Sequence, residues 1–358
     1  MQDTYETIRK HKWKIILSFA LAFFIIFAIT VAVGLGDTIS ILMTANWYFI
    51  LLNIILEAGI FLVWTYRWKL ILTTVNEYIP FRSLLVMLMA STFGNNVTPG
   101  AAGGEPLRAY LLGATKKTPY EIGFASATAD RVFEFFPFVL ISLFAAFFIL
   151  GWEIPIWTKI IVFVMILVSI FFFAIVLYAV YRKEISQRVI ISIMKSIHPL
   201  LVKIIKSDLS LVEMNEKIIF YINRFSKGFL QVVKDKRIFI IGFILSFFMW
   251  ALDIVRFYIC FITIGVYPPI IPLIIIYTIG ILIMLVPLLP GSWGIREAII
   301  VGLFAVVGVA GDIVFSASLI DRFVSYILPT IIGAFAALYY GRRIQRSKEL
   351  KNIPPQNL

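Results

Sequence analysis

Long apolar runs alternate with short basic stretches along this chain, and the lengths of those runs decide its class. A helix that crosses a bilayer needs about 20 consecutive, mostly apolar residues. Six runs qualify, roughly 15–33, 47–66, 122–150, 160–181, 238–265 and 313–340. Two further apolar regions, about 82–113 and 272–310, are long but interrupted. The first breaks at Gly94-Asn95-Asn96-Val97-Thr98-Pro99-Gly100-Ala101-Ala102-Gly103-Gly104, the second at Pro287-Leu288-Leu289-Pro290-Gly291-Ser292-Trp293-Gly294. Glycine and proline at that density end a helix. The pattern predicts an all-α polytopic membrane protein with six full transmembrane helices and two re-entrant helical hairpins. The stretch 182–237 reads differently: it is basic, with aliphatics such as Ile190, Ile193, Met194 and Ile197 at helical spacing. It is expected to be a helical pair lying on an anionic membrane surface; a regulatory or partner-binding domain is the alternative.

Composition agrees. Of 358 residues, 61% are apolar or aromatic and 15% charged, where a soluble domain is about half apolar and a quarter charged. Mean hydropathy is +0.96. The net charge of +12 sits between the apolar runs, which favours a membrane surface over nucleic acid as its partner. Positive charge collects on the cytoplasmic side of membrane proteins. Residues 1–14 hold four Lys/Arg, 67–82 hold Arg67, Lys69 and Arg82, then come Lys116 and Lys117, twelve in 182–237 and five after Gly341. With an inside N-terminus, six spans put all of these in the cytoplasm, provided each broken region enters and leaves on one side. Both termini are then cytoplasmic, in a cell membrane. The basic N-terminal flank and its apolar run carry no small-residue cleavage site, so a retained first span is expected rather than a signal peptide.

An internal repeat follows. Pro99-Gly100 and Pro290-Gly291 are each followed 31 residues later by Asp-Arg, Asp130-Arg131 and Asp321-Arg322. At the same offset of 191, Gly103 matches Gly294 and Glu105 matches Arg296. The repeats span about 47–150 and 238–340 within a membrane domain of 1–341, with the basic insert between them and a cytoplasmic tail at 342–358. By the cation count they face opposite ways, the inverted topology whose interrupted segments line a substrate site near mid-bilayer.

A charged side chain at the bilayer centre costs roughly 2.5–3.5 kcal/mol on insertion scales. This chain places Glu57, Glu105, Arg108, Asp130, Arg131, Glu134, Asp253, Arg256, Arg296, Glu297, Asp321 and Arg322 in or beside its spans. One pair per interface would suffice to staple helices, so the set points to a wet cavity. Adjacent Asp-Arg residues point about 100° apart on a helix, so one can bind a neighbouring helix while the other faces the cavity. A helix restarting near Glu105-Pro106 would aim backbone N–H groups at the cavity, Ser292 could cap the second restart, and the arginines suit a phosphate. Asn95, Asn96 and Thr98 offer neutral hydrogen bonds, to a ligand or to the broken backbone. The expected substrate-binding set is Asn95, Asn96, Thr98, Glu105, Arg108, Asp130, Arg131, Asp253, Arg256, Arg296, Glu297, Asp321 and Arg322.

No cofactor, metal or catalytic residue is expected. The single cysteine, Cys260, lies in an apolar run, and His11 and His198 sit in basic flanks. No zinc, haem or iron–sulfur spacing, Walker loop, GxGxxG, HExxH or Ser-His-Asp order occurs.

The two broken motifs, with Gly103-Gly104-Glu105-Pro106-Leu107-Arg108, Asp130-Arg131, Ile295-Arg296-Glu297 and Asp321-Arg322, resemble a flippase-like transmembrane family. That family includes the membrane domain of lysylphosphatidylglycerol synthase, also called multiple peptide resistance factor. The resemblance covers about residues 10–342. It implies translocation of a lipid with a charged, phosphorylated or aminoacylated headgroup, a phospholipid or polyisoprenyl phosphate, with Glu105, Arg108, Asp130, Arg131, Arg296, Glu297, Asp321 and Arg322 near its path. The synthase's soluble aminoacyl-transferase domain has no counterpart after Gly341, so aminoacyl transfer is not expected. A transporter for a small polar solute or ion, and a membrane-embedded enzyme acting on lipid headgroups, are the two alternatives.

Overall fold

The computed structural model describes residues 34–98, 102–205, 211–284 and 292–351. The predicted first span at 15–33, the two tips at 99–101 and 285–291, and the end of the tail lie outside the described residues. Among the described residues the chain is helical: α1 (Leu35–Met43), α2 (Trp47–Thr74), α3 (Phe81–Val97), α4 (Gly104–Lys116), α5 (Tyr120–Ile149), α6 (Ile156–Tyr181), α7 (Lys183–Ile205), α8 (Leu211–Lys234), α9 (Lys236–Ile262), α10 (Ile270–Met284), α11 (Ile295–Val306), α12 (Gly311–Arg322), a π-helical turn (Phe323–Ile327) and α13 (Leu328–Lys351).

Local chemistry sets the boundaries. Asn46 caps α2 by accepting from the Tyr48 N–H, and Asp235 caps α9 by accepting from Arg237 and Ile238; such side-chain oxygens satisfy N–H groups that have no partner within the helix. Prolines 80, 119 and 155 stand immediately before α3, α5 and α6, where a fixed φ and a missing N–H do no harm. Among the described residues five helices are long and apolar enough to cross a membrane: α2, α5, the Lys159–Tyr181 part of α6, α9, and the continuous Gly311–Arg346 run of α12, π-turn and α13. They occupy five of the six predicted spans. The protein is a multi-pass integral membrane protein. α6 shows why the solvent must be lipid, since Ile160, Val164, Leu167, Val168 and Phe171 are exposed on it and the helix is apolar all round.

The interrupted regions each form two short helices, of 17 and 13 residues (α3, α4) and of 15 and 12 (α10, α11). At 1.5 Å per residue these are only about 18–26 Å long, against a hydrocarbon core of about 30 Å. Within each pair the helices pack together. Glycine makes the first approach possible: a Cβ at Gly103 would lie 2.6 Å from the Gly94 carbonyl oxygen. The order long helix, short pair, long helix therefore occurs twice, with α6, α7 and α8 between. α8 does not lie apart; Arg224 pairs with Glu121 at 2.9 Å and Phe225 packs on Phe124, fixing it to the start of α5.

α2 and α9 cross the centre side by side. Arg67 reaches Ser246, and Glu57 reaches Arg256. Rising numbers on one helix meet falling numbers on the other, so these two corresponding helices are antiparallel. α13 packs on α3, where Tyr340 donates to the Ser83 carbonyl and Asn96 to Thr330. Gly333 permits this approach, since a Cβ there would sit 2.3 Å from the Met89 carbonyl oxygen. Gly333→Ala is therefore expected to push α13 off α3 and cost about 1–3 kcal/mol, an overpacking penalty. Gly302→Ala, with nothing within 4 Å of its Cβ, should leave the detergent melting temperature unchanged or slightly raised.

Candidate functional site

The charged residues gather into two clusters built to one plan. In the first, Asp130 on α5 is fully buried and accepts from Arg67 Nε at 2.7 Å, Arg108 Nη1 at 2.8 Å and Trp64 Nε1 at 2.6 Å. Its neighbour Arg131 turns away and donates to Glu105 Oε1 at 2.6 Å. Glu134 lies 3.6 Å from Arg131 and 3.9 Å from Arg67. In the second, Asp321 on α12 accepts from Arg256 Nη1 and, at 2.9 Å, from Arg296 Nη2. Its neighbour Arg322 turns away and donates to Glu297 Oε1 at 2.6 Å. Asp253 and Glu57 approach Arg256 at 3.2 and 3.1 Å. In each cluster the aspartate joins an arginine from the preceding long helix to one from the short pair, and the next arginine takes a glutamate from the short pair.

The helical divergence of adjacent residues makes this possible: at about 100° per residue, Asp and Arg face different neighbours. Aromatic rings complete the packing. Arg108 lies over Trp64 and Trp68 at 5.3 and 5.1 Å from the ring centroids, and Arg322 over Trp293 and Tyr326 at 5.2 and 5.5 Å, within cation–π range.

The fixed offset of 191 pairs Glu105 with Arg296, but in space the partners are exchanged. Arg108 and Arg296 do the same work, as do Glu105 and Glu297, so the second short pair keeps the chemistry with the order reversed. Arg67, counted from sequence among the cytoplasmic cations, is instead 1% exposed and bonded to Asp130, because α2 continues past the predicted end at 66 to Thr74. Trp64, Ser246 and Tyr277 also join the clusters. The polar residues of the first break serve the backbone. Asn95 Oδ1 accepts from the Gly104 N–H at 2.6 Å, and Thr98 Oγ1 accepts from Gly103 and donates to the Gly94 carbonyl. Asn96 ties the break to the second half, donating to Thr330 while its carbonyl accepts from Tyr326. Ser292 is not the cap of α11; Gly294 occupies that position, and its N–H donates to Glu297 Oε2 at 2.7 Å.

Access differs among these groups. Arg108 and Arg296 are buried and committed to aspartates, so an anion reaches them only by displacing Asp130 or Asp321. The side chains of Arg131, Glu134 and Asp253 are 36%, 28% and 29% exposed. Several buried atoms have no hydrogen-bond partner among the described residues, including Arg67 Nη2, Arg108 Nε, Arg256 Nε, Arg296 Nε and Glu57 Oε2; buried polar atoms normally have a partner, in the protein or an ordered water. Glu57 and Arg67 are ten residues apart on α2, which separates the clusters by about 15 Å along the helix. They flank the middle of α2 rather than form one set.

Removing a shared acid should be far more damaging than removing an accessible base. Asp130→Ala and Asp321→Ala each leave two arginines without their common acceptor, and are expected to lose about 3–5 kcal/mol of stability. Arg131→Ala leaves Glu105 beside Arg108 and should lose at most about 1 kcal/mol. Unfolding in detergent compares the three; equal losses would mean that burial does not rank these pairs.

Comparison with known proteins agrees with this architecture. Residues 15–333 match the family described as lysylphosphatidylglycerol synthase TM region. A UPF0104 membrane protein of Methanothermobacter thermautotrophicus is 51% identical over 96% of this chain and 97% of its own length. UPF0104 membrane proteins of Pyrococcus horikoshii and Methanocaldococcus jannaschii are 28% and 26% identical, over 85% and 92% of this chain and 91% and 95% of theirs. With its paired Asp-Arg clusters and near full-length relatives, the chain belongs to the lysylphosphatidylglycerol synthase transmembrane-region family.

Proposed function

We propose that this protein is a lipid flippase that moves a lipid with a charged headgroup, a phospholipid or polyisoprenyl phosphate, between leaflets. The observation that carries the reading is that partly accessible ions stand on helices whose other faces are exposed and apolar. On α9, Asp253 is partly exposed, while Ile244, Phe248 and Val255 are exposed on the other side of the helix. Leu140, Leu143 and Phe144 are exposed on α5 beyond Arg131 and Glu134. A headgroup could meet Arg131 and the carboxylates while its tails stay against these apolar faces.

The antiparallel packing of α2 on α9 supports an inverted repeat, since corresponding helices of oppositely oriented halves run in opposite directions. The shortness of α3, α4, α10 and α11 supports re-entrant hairpins, and the distribution of cations favours one from each face with both termini in the cytoplasm. The clusters then lie on either side of mid-bilayer, and a headgroup would pass from one to the other. No aminoacyl transfer or other catalysis enters this reading.

Topology is tested in a Cys260→Ser background. A cysteine at Ala114 should be labelled only from the cytoplasm and one at Gly311 only from outside; labelling of both from one side would refute the inversion. Transport is tested in proteoliposomes. The wild type should move a tagged anionic phospholipid between leaflets. Glu105→Gln with Arg131→Gln, which removes a charge pair without stranding a partner, should slow it at least ten-fold, or about 1.4 kcal/mol. If no phospholipid moves while small anions cross, the protein is a solute transporter.

A further inference from the structure

The two clusters share a plan but not a charge. The first sets Arg67, Arg108 and Arg131 against Glu105, Asp130 and Glu134. The second sets Arg256, Arg296 and Arg322 against Glu57, Asp253, Glu297 and Asp321. The second therefore holds one carboxylate in excess, in the interior of a membrane protein.

Geometry identifies which carboxylate is supernumerary. Asp321 accepts from two guanidiniums. Glu297 accepts from Arg322 and from the Gly294 N–H. Asp253 accepts from Arg256 Nη2. Glu57 Oε2 forms an ion pair with Arg256 Nε at 3.1 Å, but without hydrogen-bond geometry, and among the described residues neither atom has a hydrogen-bond partner. Four residues earlier, on the same face of α2, Asn53 is fully buried and neither its Oδ1 nor its Nδ2 has a partner among the described residues. Arg256 and Asp253 of α9 and Asp321 of α12 face Glu57. Tyr277 of α10 stands behind Arg256, and Arg296 of α11 behind Asp321. The cations in this group are already committed to other acids.

A buried ion without a full partner is expensive, by several kcal/mol even after relaxation, and such a group is relieved by becoming neutral. We infer that the second cluster is a proton-binding site and that Glu57 is the residue that carries the proton. With the proton bound, the cluster is balanced at three cations and three anions, as the first one is. With the proton released, it carries one net negative charge and repels an anion. One proton would then accompany each anionic headgroup through the protein. This coupling rests on the lipid reading above, but the proton site does not.

Infrared titration of the purified full-length protein in detergent reads the site directly, because a protonated carboxyl absorbs apart from carboxylates. The wild type should show such a band at neutral pH that disappears in alkali. Glu57→Gln should lack the band and Glu134→Gln should retain it. Absence of the band from the wild type, or its loss in Glu134→Gln instead, overturns the assignment. Melting gives a second reading. Glu57→Gln should melt at or above the wild type if the native residue is neutral; a much lower melting temperature means an ionised Glu57 holding Arg256, and overturns the site. Coupling is read in proteoliposomes with a tagged anionic phospholipid. An imposed pH gradient should speed wild-type movement several-fold and leave Glu57→Gln unaffected. A wild type indifferent to the gradient overturns the coupling alone. If no lipid moves at all, the flippase reading and the coupling fall together, while the infrared result still decides the proton site.

Discussion

Six arginines, one from each of α2, α4, α5, α9, α11 and α12, cannot be buried in an apolar solvent unless each meets an acid, and that requirement organises the molecule. Removing an ion from water costs several kcal/mol, recovered only by close partners with good geometry. Asp130 and Asp321 meet the requirement by accepting from two guanidiniums each. The arginines that share an aspartate come from different helices, so satisfying one carboxylate fixes three elements at once: α2, α4 and α5 around Asp130, and α9, α11 and α12 around Asp321. Apolar contacts alone would not select this arrangement, since a helix apolar on every side gains little by preferring one neighbour to lipid.

The same constraint explains why the short pairs are where they are. An interrupted helix inside a membrane must have its freed backbone groups satisfied by protein or water. Asn95 and Thr98 do so at the first break, Glu297 at the second. Glu297 serves two purposes, since its other oxygen accepts from Arg322. The break and the ion cluster are thus joined in one side chain.

Much of this was legible in the chain. Five spans, both breaks, the recurrence of Asp-Arg and the divergent directions of its two members follow from run length, glycine-proline density and helical pitch. Arg67 was not, because hydropathy windows end a span at a cation; only the continuing Leu70-Ile71-Leu72 beyond it marks the helix as unfinished. The exchange between Glu105–Arg108 and Arg296–Glu297 was hidden by the offset itself, which aligns positions in the chain and cannot see that a side chain reached from one turn later does the same work. Ser292 has the residue type of a cap but not its place, because a carboxylate three residues into α11 takes the N–H of Gly294 instead. Asn95, Asn96 and Thr98 are the types that could serve either a ligand or a bent backbone, and sequence contains nothing that separates these uses.

The contacts made by α2 bear on how the protein is built by the ribosome. Arg67 meets its acid 63 residues later in the chain, but Glu57 faces an arginine about 200 residues downstream. At roughly 5–20 residues per second of synthesis, that gap is about 10–40 s. For that period α2 holds an acidic group in the membrane without its eventual neighbour, and α9 must later arrive beside it in the opposite direction. Assembly of the two halves is therefore late: α2 meets its partner on α9 only after the second half has entered the bilayer.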